Sequence, residues 1–477
     1  MALGATHHLA DLHAAGLEET ELLLSSSSGT YQGTEYLSDE PLVPSPELFC
    51  TLPESAGPDD APTIGECAVH LEILEVFQTL RNKVIQSGDL DVAFGVHPQT
   101  KSVYNRGQDK RKILIAVEKK IKDDTFEQRR AEKWTCFLQL AAGRFHHWIS
   151  AVNVCLRLET GGSDKQPQWI LPPLDILVVW HAFLLNPSDF KDYCDKKHLE
   201  GVQGIRFPWR KIHRAINSRD WAYTLPPGVA HWLRAATGLE PDLFKTLTKV
   251  SRSDRPAWEI LTRHPTWSFS VSEQPADTDE PRTFKYWVQE AVANLAENKP
   301  LVDNVQRQCV FVDKMHAHRW ICSPAVEGTL RRAVERYGKF IALFRHFHGF
   351  LVPTLDVDLV WHTHQCSADH YRQFVVKHAG RFINHEDKIS RGTLDNGFSS
   401  TEQCYRFTFG DQYQVCLCWY CEAILSAVGE LDDADGAGIT AANVDDIVQK
   451  VERQVRHYKE VEIARRLGKG LPRDVSI

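Results

Sequence analysis

Two stretches of the chain decide its fold: LPPLDILVVWHAFLLNPSDF at 171–190 and VPTLDVDLVWHTHQCSADHY at 352–371. They align without a gap at a constant spacing of 181 residues. Apolar side chains recur in both at three- and four-residue intervals, as they do on one face of an α-helix. The repeat therefore predicts two related helical units that pack together. The shared Trp-His pairs are Trp180 and His181 in the first copy, and Trp361 and His362 in the second.

The rest of the sequence predicts a mainly α protein with four regions. Residues 1–65 are rich in Ser, Pro and acidic residues and poor in apolar ones, which favours a disordered acidic arm. Helical periodicity then fills a first unit at 66–269 and a second at 284–428, which a polar stretch at 270–283 separates. A charged C-terminal helix is expected within 439–477.

The charge distribution argues against a nucleic-acid partner. The chain has a net charge of −8, and residues 1–65 hold eleven acidic residues and no Lys or Arg, so the remainder is close to neutral. The one basic stretch, 101–133, interleaves acids with bases, which is more typical of a solvated helix face than of a phosphate-binding track. Nucleic-acid or lipid association through this stretch is the weakest hypothesis.

Several classes of protein lack support in the sequence. No run of about 18 apolar residues is present, so no membrane span is expected, and the first residues do not read as a secretory signal. The 12 cysteines are scattered, which indicates reduced thiols in a cytoplasmic protein. Without a Walker loop, a Rossmann glycine pattern or a G-x-S-x-G motif, no nucleotide cofactor is predicted.

The second Trp-His copy carries the best candidate for a metal site. Asp358 and His362 are four residues apart, so both project from one helix face within reach of a common ion or of each other. The first copy has Leu177 at the position of Asp358, so only the second copy offers this pair. His364 lies about 200° round the helix from His362, and joins the same ion only if the helix distorts. Spacing alone leaves a plain structural Asp-His contact open as well.

A second group of possible ligands follows in RFINHEDKIS. His385 and Asp387 are two residues apart and can point the same way in a loop or strand. Imidazole and carboxylate groups together suit iron, zinc or manganese. Glu386 and Asp387 would be a general base or partners of the ligands. A polar loop whose acids cap the next element is equally compatible with the sequence.

Other conspicuous residues favour structural roles. Asp175 and Asp356 stand at the starts of the two predicted helices, where a carboxylate acts as an N-cap for free backbone N–H groups. The tryptophans of both copies are expected to pack in the core. Cys416, Cys418 and Cys421 resemble half a zinc site, but helical periodicity across 401–425 favours buried cysteines on an apolar helix.

Over about His70 to Tyr413 the chain resembles the glycine-rich domain-containing protein-like family of fungi and plants. The matching stretches include HLEIL, NVQRQCVFVDKM, RRAVERYGKF and the duplicated D-x-x-x-x-W-H block. In the family the second block typically reads D-x-x-W-H-x-H. The first copy in this chain departs from that pattern at Leu177 and Phe183. The resemblance implies a helical architecture and the following matched site residues: Asp358, Trp361, His362, His364 and His385.

The leading hypothesis is a cytosolic metal-binding helical protein that uses a divalent ion of iron, zinc or manganese. Its predicted ligands are Asp358, His362, His364 and His385. Were it an enzyme, it would be an oxygenase or hydrolase acting on a small molecule, a point the sequence leaves open. The alternative is a non-catalytic interaction or scaffold protein of the glycine-rich domain-containing type, in which the two blocks only pack the helical halves together and the partner is a protein.

Overall fold

The structure, a computed structural model, describes residues 43–50, 52, 60–94, 96–98, 101–108, 114–121, 123–158, 167–253, 290–291, 293–385, 391–435 and 441–466. Over these residues the protein is mainly α-helical, as predicted from the sequence.

The helices of the described residues are α1 (Ile64–Gln86), α2 (Gly88–Ala93), α3 (Phe126–Leu158), α4 (Leu174–Leu184), α5 (Pro187–Lys197), α6 (Glu200–Gln203), α7 (Trp209–Ala215), α8 (Pro227–Thr237), α9 (Leu243–Ser253), α10 (Leu295–His318), α11 (Val326–Leu343), α12 (Leu355–Gln365), α13 (Ala368–Ala379), α14 (Arg391–Phe409), α15 (Trp419–Asp435) and α16 (Ala441–Arg466). The strands are β1 (Lys101–Gln108), β2 (Leu114–Ile121), β3 (Ile216–Asn217) and β4 (Ala222–Tyr223), which pair as β1–β2 and β3–β4.

Helix α1 lies at the centre of the molecule. A capping box starts it: the Thr63 backbone N–H donates to the Glu66 carboxylate at 2.8 Å, and the Glu66 N–H donates to the Thr63 hydroxyl at 3.2 Å. Its first half is buried on every side, which is typical of a helix surrounded by others. Helices α3, α7, α10, α11 and α12 pack around it, so α1 touches helices from both predicted units.

The two Trp-His copies form the same local structure. Helices α4 and α12 begin and end at positions that are 181 residues apart, and α5 and α13 also begin 181 residues apart. Buried side chains of both predicted units belong to one hydrophobic core. The relation between the two units as wholes, and their boundaries, stay predictions.

The acidic arm makes contact with this core before residue 65. Leu48 and Leu52 are 4% and 7% exposed and pack in the core cluster. Leu48 belongs to a 3-10 turn, Pro46–Phe49. Within the predicted arm the structure describes residues 43–50, 52 and 60–65. The remaining residues of the arm lie outside the described part of the chain.

Two local predictions were wrong. The basic stretch 101–133 is not one solvated helix: β1 and β2 form an antiparallel hairpin, and α3 begins only at Phe126. Short runs of β-branched and aromatic residues between charges favour strands there. The predicted helix at 401–425 is also interrupted, because Gly410 adopts a left-handed conformation, with φ of 74°, and ends α14.

Within the described residues, no helix combines the length and the apolar character needed to cross a membrane.

Candidate metal centre

Asp358, His362 and His385 converge at one point, as the sequence hypothesis required. His362 Nε2 lies 3.4 Å from Asp358 Oδ1 and 3.1 Å from His385 Nε2, and His385 Nε2 lies 3.6 Å from the same carboxylate oxygen. The first two residues come from successive turns of α12, and His385 comes from the non-helical segment after α13. The group is thus one carboxylate and two imidazoles, each with one donor atom in a small triangle.

The second-copy tryptophan places the third member of this triangle. Trp361 Nε1 donates a hydrogen bond to the Tyr371 hydroxyl at 2.8 Å, and that hydroxyl donates to the carbonyl of Ile383 at 2.6 Å. This chain of hydrogen bonds holds the segment after α13 against α12. The Trp361 ring also meets the His385 ring edge-on, with centroids 5.0 Å apart. Trp361 is therefore both a core residue and the support for His385.

The donor atoms face a common point rather than pairing fully with each other. Asp358 Oδ1 is buried and forms no hydrogen bond within the described residues. Burial would raise the pKa of Asp358, but His362 and His385 outweigh that effect and hold the pKa below its usual range. The carboxylate is thus ionised and available as a ligand. The side chains of Asp358 and His385 keep 22% and 11% exposure, so the triangle lies near the surface although the Asp358 Oδ1 atom itself is buried.

A third buried histidine joins the two Trp-His copies. His70 of α1 is fully buried, and its Nε2 lies 2.8 Å from His181 Nε2 of the first copy. Its Nδ1 lies 2.8 Å from the Thr363 hydroxyl of the second copy. One imidazole on the central helix therefore bridges α4 and α12. Sequence reasoning missed this role, although His181 stands opposite His362 in the repeat.

The proton positions in this bridge follow from its hydrogen bonds. The Thr363 hydroxyl donates its one proton to the Leu359 carbonyl at 2.8 Å, so it accepts from Nδ1–H of His70. In neutral His70 the other nitrogen then accepts from Nε2–H of His181. Burial, aided by neighbouring imidazoles, lowers the pKa of His70 well below its ordinary value and the pKa of His181 to about 3. Both rings are therefore neutral in the fold.

This neutrality predicts a loss of stability in acid. Between pH 6.5 and about 3 the unfolded chain binds a proton at His181 that the folded chain does not, so stability falls as pH falls. The expected slope for this residue is up to about 1.4 kcal/mol per pH unit. The free energy of unfolding, measured in urea at several pH values, should depend less steeply on pH in acid for His181→Gln. The glutamine amide can still donate to His70, but it does not titrate. An unchanged slope would contradict the assignment.

His364 lies apart from the proposed ligands. Its Nδ1 is 2.9 Å from the Tyr337 hydroxyl, and its ring packs against Tyr371 and Phe374. Burial, with the nearby His370 and His378, lowers the pKa of His364 well below its ordinary value. Helix α12 is regular at this point, so residues two apart point to different sides. Glu386 and Asp387, the other predicted members, lie outside the described residues.

Asp175 and Asp356 are not N-caps, which corrects the prediction. The N-cap positions belong to Pro173 and Thr354, and each aspartate sits in the first turn as the partner of an arginine, which is buried for Asp175 and partly buried for Asp356. Arg144 Nε donates to Asp175 at 2.6 Å, and Arg336 Nε donates to Asp356 at 2.7 Å. The sequence next to each aspartate could not predict its partner, because Arg144 and Arg336 lie on the preceding helices, α3 and α11.

The first copy lacks the triangle. Leu177 stands where Asp358 stands, and Gly204 is the residue 181 positions before His385. His181 instead contacts His70, with their Nε2 atoms 2.8 Å apart. Trp180 packs against Trp148 and Phe207, with ring centroids 5.1 and 5.0 Å away. The candidate metal centre thus belongs to the second copy alone.

Fold and site together define a mainly helical protein with paired Trp-His helices and a histidine-carboxylate cluster on the second pair. Residues 245–373 match the family described as Glycine-rich domain-containing protein-like, the family that the sequence motifs resemble. The match includes Asp358 and His362 but ends before His385.

Two proteins of Arabidopsis thaliana are similar to the chain. Glycine-rich domain-containing protein 1 is 39% identical over 258 residues, which are 51% of this chain and 25% of that protein. Glycine-rich domain-containing protein 2 is 26% identical over 256 residues, which are 51% of this chain and 26% of that protein. The similarity thus covers about a quarter of either relative. No solved structure is significantly similar to the chain.

Proposed function

We propose that this protein binds a divalent metal ion through Asp358 Oδ1, His362 Nε2 and His385 Nε2. The observation that carries the proposal is the size of the triangle, with sides of 3.1, 3.4 and 3.6 Å. Donor atoms about 2.0–2.1 Å from one tetrahedral ion lie about 3.3–3.4 Å from each other. A point about 2 Å from all three atoms therefore exists without moving a side chain.

The ligand set favours zinc, iron or manganese. Two imidazoles and one carboxylate on one side of an ion leave its other positions open to water or substrate. A bound ion would supply Lewis acidity or activate water or O₂, which fits a hydrolase or an oxygenase acting on a small molecule. The residues of this chain hold the ion, and the Trp361–Tyr371 support fixes the third ligand. Glu386 or Asp387, which follow His385 directly in the chain, is the proposed proton acceptor.

A manganese titration of full-length protein without an affinity tag tests the proposal. Electron paramagnetic resonance of free Mn²⁺ reports binding directly, and carboxylate and imidazole suit this ion better than thiolate does. Wild-type protein is expected to bind one ion per chain, and Asp358→Asn is expected to lose it. His346→Ala, a change at an exposed histidine, is the control that should bind as wild type does. No binding to wild type, or equal binding to Asp358→Asn, would overturn the proposal.

A non-catalytic scaffold role is the second candidate, and the His70 bridge favours it. An imidazole that hydrogen-bonds both Trp-His copies serves to join α4 and α12 whether or not an ion is bound. This candidate expects His362→Ala to lower the melting temperature and no ion to accompany the protein. The metal proposal instead expects chelation of the wild-type protein to lower its melting temperature.

A further inference from the structure

Three cysteines outside the candidate metal centre lie together. The Sγ atoms of Cys416, Cys418 and Cys421 are all within 4.8 Å of one another. Cys416 is exposed, and the other two are half-buried. The sequence placed them on one apolar helix, but α15 begins only at Trp419, so the first two lie in the non-helical segment before it. A turn between segment and helix brings their side chains to one side.

Two tryptophans fasten this segment to the end of α10. Trp320 Nε1 donates to the Leu417 carbonyl at 2.9 Å, and Trp419 Nε1 donates to the His318 carbonyl at 2.7 Å. Each indole thus bonds the backbone of the opposite segment. The two hydrogen bonds hold the cysteine-bearing segment against the end of α10.

We propose that Cys416, Cys418 and Cys421 bind a zinc ion as thiolates, with a water molecule at the fourth tetrahedral position. Zinc–sulfur bonds of about 2.3 Å in a tetrahedron place sulfur atoms about 3.8 Å apart, so the cluster needs to contract by about 1 Å at most. Rotation of half-exposed cysteine side chains supplies this movement. Each thiol releases its proton to solvent as its Zn–S bond forms, and no oxidant or reductant is involved. The ion would join the segment before α15 to the first turn of that helix.

Cobalt titration of the reduced, full-length, untagged protein tests this site independently of the first one. Co²⁺ bound to thiolates gives a charge-transfer absorption in the near ultraviolet, which imidazole and carboxylate ligands do not give. Wild-type protein is expected to show this band, complete at one equivalent and lost when Zn²⁺ is added. Asp358→Asn should retain it. The band should disappear in the triple variant C416S/C418S/C421S and persist in Cys404→Ser, a control at another half-buried cysteine.

A second measurement on the wild-type chain keeps the test decisive if the triple variant does not fold. Zinc-loaded and chelator-treated protein are alkylated, and each cysteine peptide is quantified by mass spectrometry. Zinc should protect the three cluster cysteines several-fold and leave Cys404 unchanged. Equal alkylation with and without zinc, or no cobalt band in wild-type protein, would overturn the proposal.

Discussion

Replacing His385 with alanine is expected to weaken divalent-metal binding by more than about a hundredfold. Loss of a residue that merely hydrogen-bonds to a ligand costs about 10–100-fold in affinity, and His385 is proposed as a ligand itself. The effect on folding should be small, because His385 lies in the non-helical segment after α13 and keeps 11% exposure. Calorimetric titration with Zn²⁺ measures the change, in a C416S/C418S/C421S background so that only one site is counted.

The first copy suggests a second variant that should lose the metal without disturbing the helix. Asp358→Leu installs the residue that the chain already carries at Leu177, so the helix should accept it. Binding should be lost to the same extent as in His385→Ala, while the melting temperature of the metal-free protein stays within a few degrees of wild type. Retained binding in either variant would exclude these residues as ligands. A melting temperature that falls sharply in both would favour the scaffold interpretation.

Removing the charge of Asp175 is expected to destabilise the fold by about 3–5 kcal/mol. Arg144 and Asp175 are 7% and 3% exposed, so the guanidinium would be left buried without its counter-ion. Burial already raises the pKa of Asp175 although Arg144 opposes the shift, which shows how costly this environment is for a charge. Urea unfolding of Asp175→Asn at neutral pH measures the loss.

Two variants distinguish the effect of breaking the buried Arg144–Asp175 ion pair from the effect of removing any carboxylate. Asp195→Asn breaks the exposed pair with Lys191 and should change the free energy of unfolding much less, because solvent screens this pair. Arg144→Met combined with Asp175→Leu removes both buried charges, and should recover much of the stability that Asp175→Asn loses. A loss in Asp175→Asn no larger than that in Asp195→Asn would contradict the structural role of the pair.

The sequence predicted those features that depend on residues close together in the chain. The periodicity of the repeated blocks predicted helices where α4 and α12 lie, and the four-residue spacing of Asp358 and His362 predicted that they share a face. His385 could be proposed only as a ligand type in a downstream loop. Its position depends on the hydrogen bond from Trp361 to the Tyr371 hydroxyl and on the bond from that hydroxyl to the Ile383 carbonyl, both of which form only in the folded chain.

Local sequence patterns could not predict contacts between residues that are far apart in the chain. His70 lies 111 and 293 residues from His181 and Thr363, and no local spacing links them. The sequence assigned the three cysteines to one helix because of the apolar period of 401–425. Helix α14 ends at Phe409, before the left-handed Gly410, and α15 begins only at Trp419, so Cys416 and Cys418 lie outside a helix.

The most direct test is anomalous diffraction from crystals of the untagged protein grown with a divalent metal and measured at that metal's absorption edge. We expect an anomalous peak about 2 Å from Asp358 Oδ1, His362 Nε2 and His385 Nε2, the distance at which one ion binds all three. The absence of a peak there, with the two imidazoles sharing a proton between their Nε2 atoms, would contradict the metal centre.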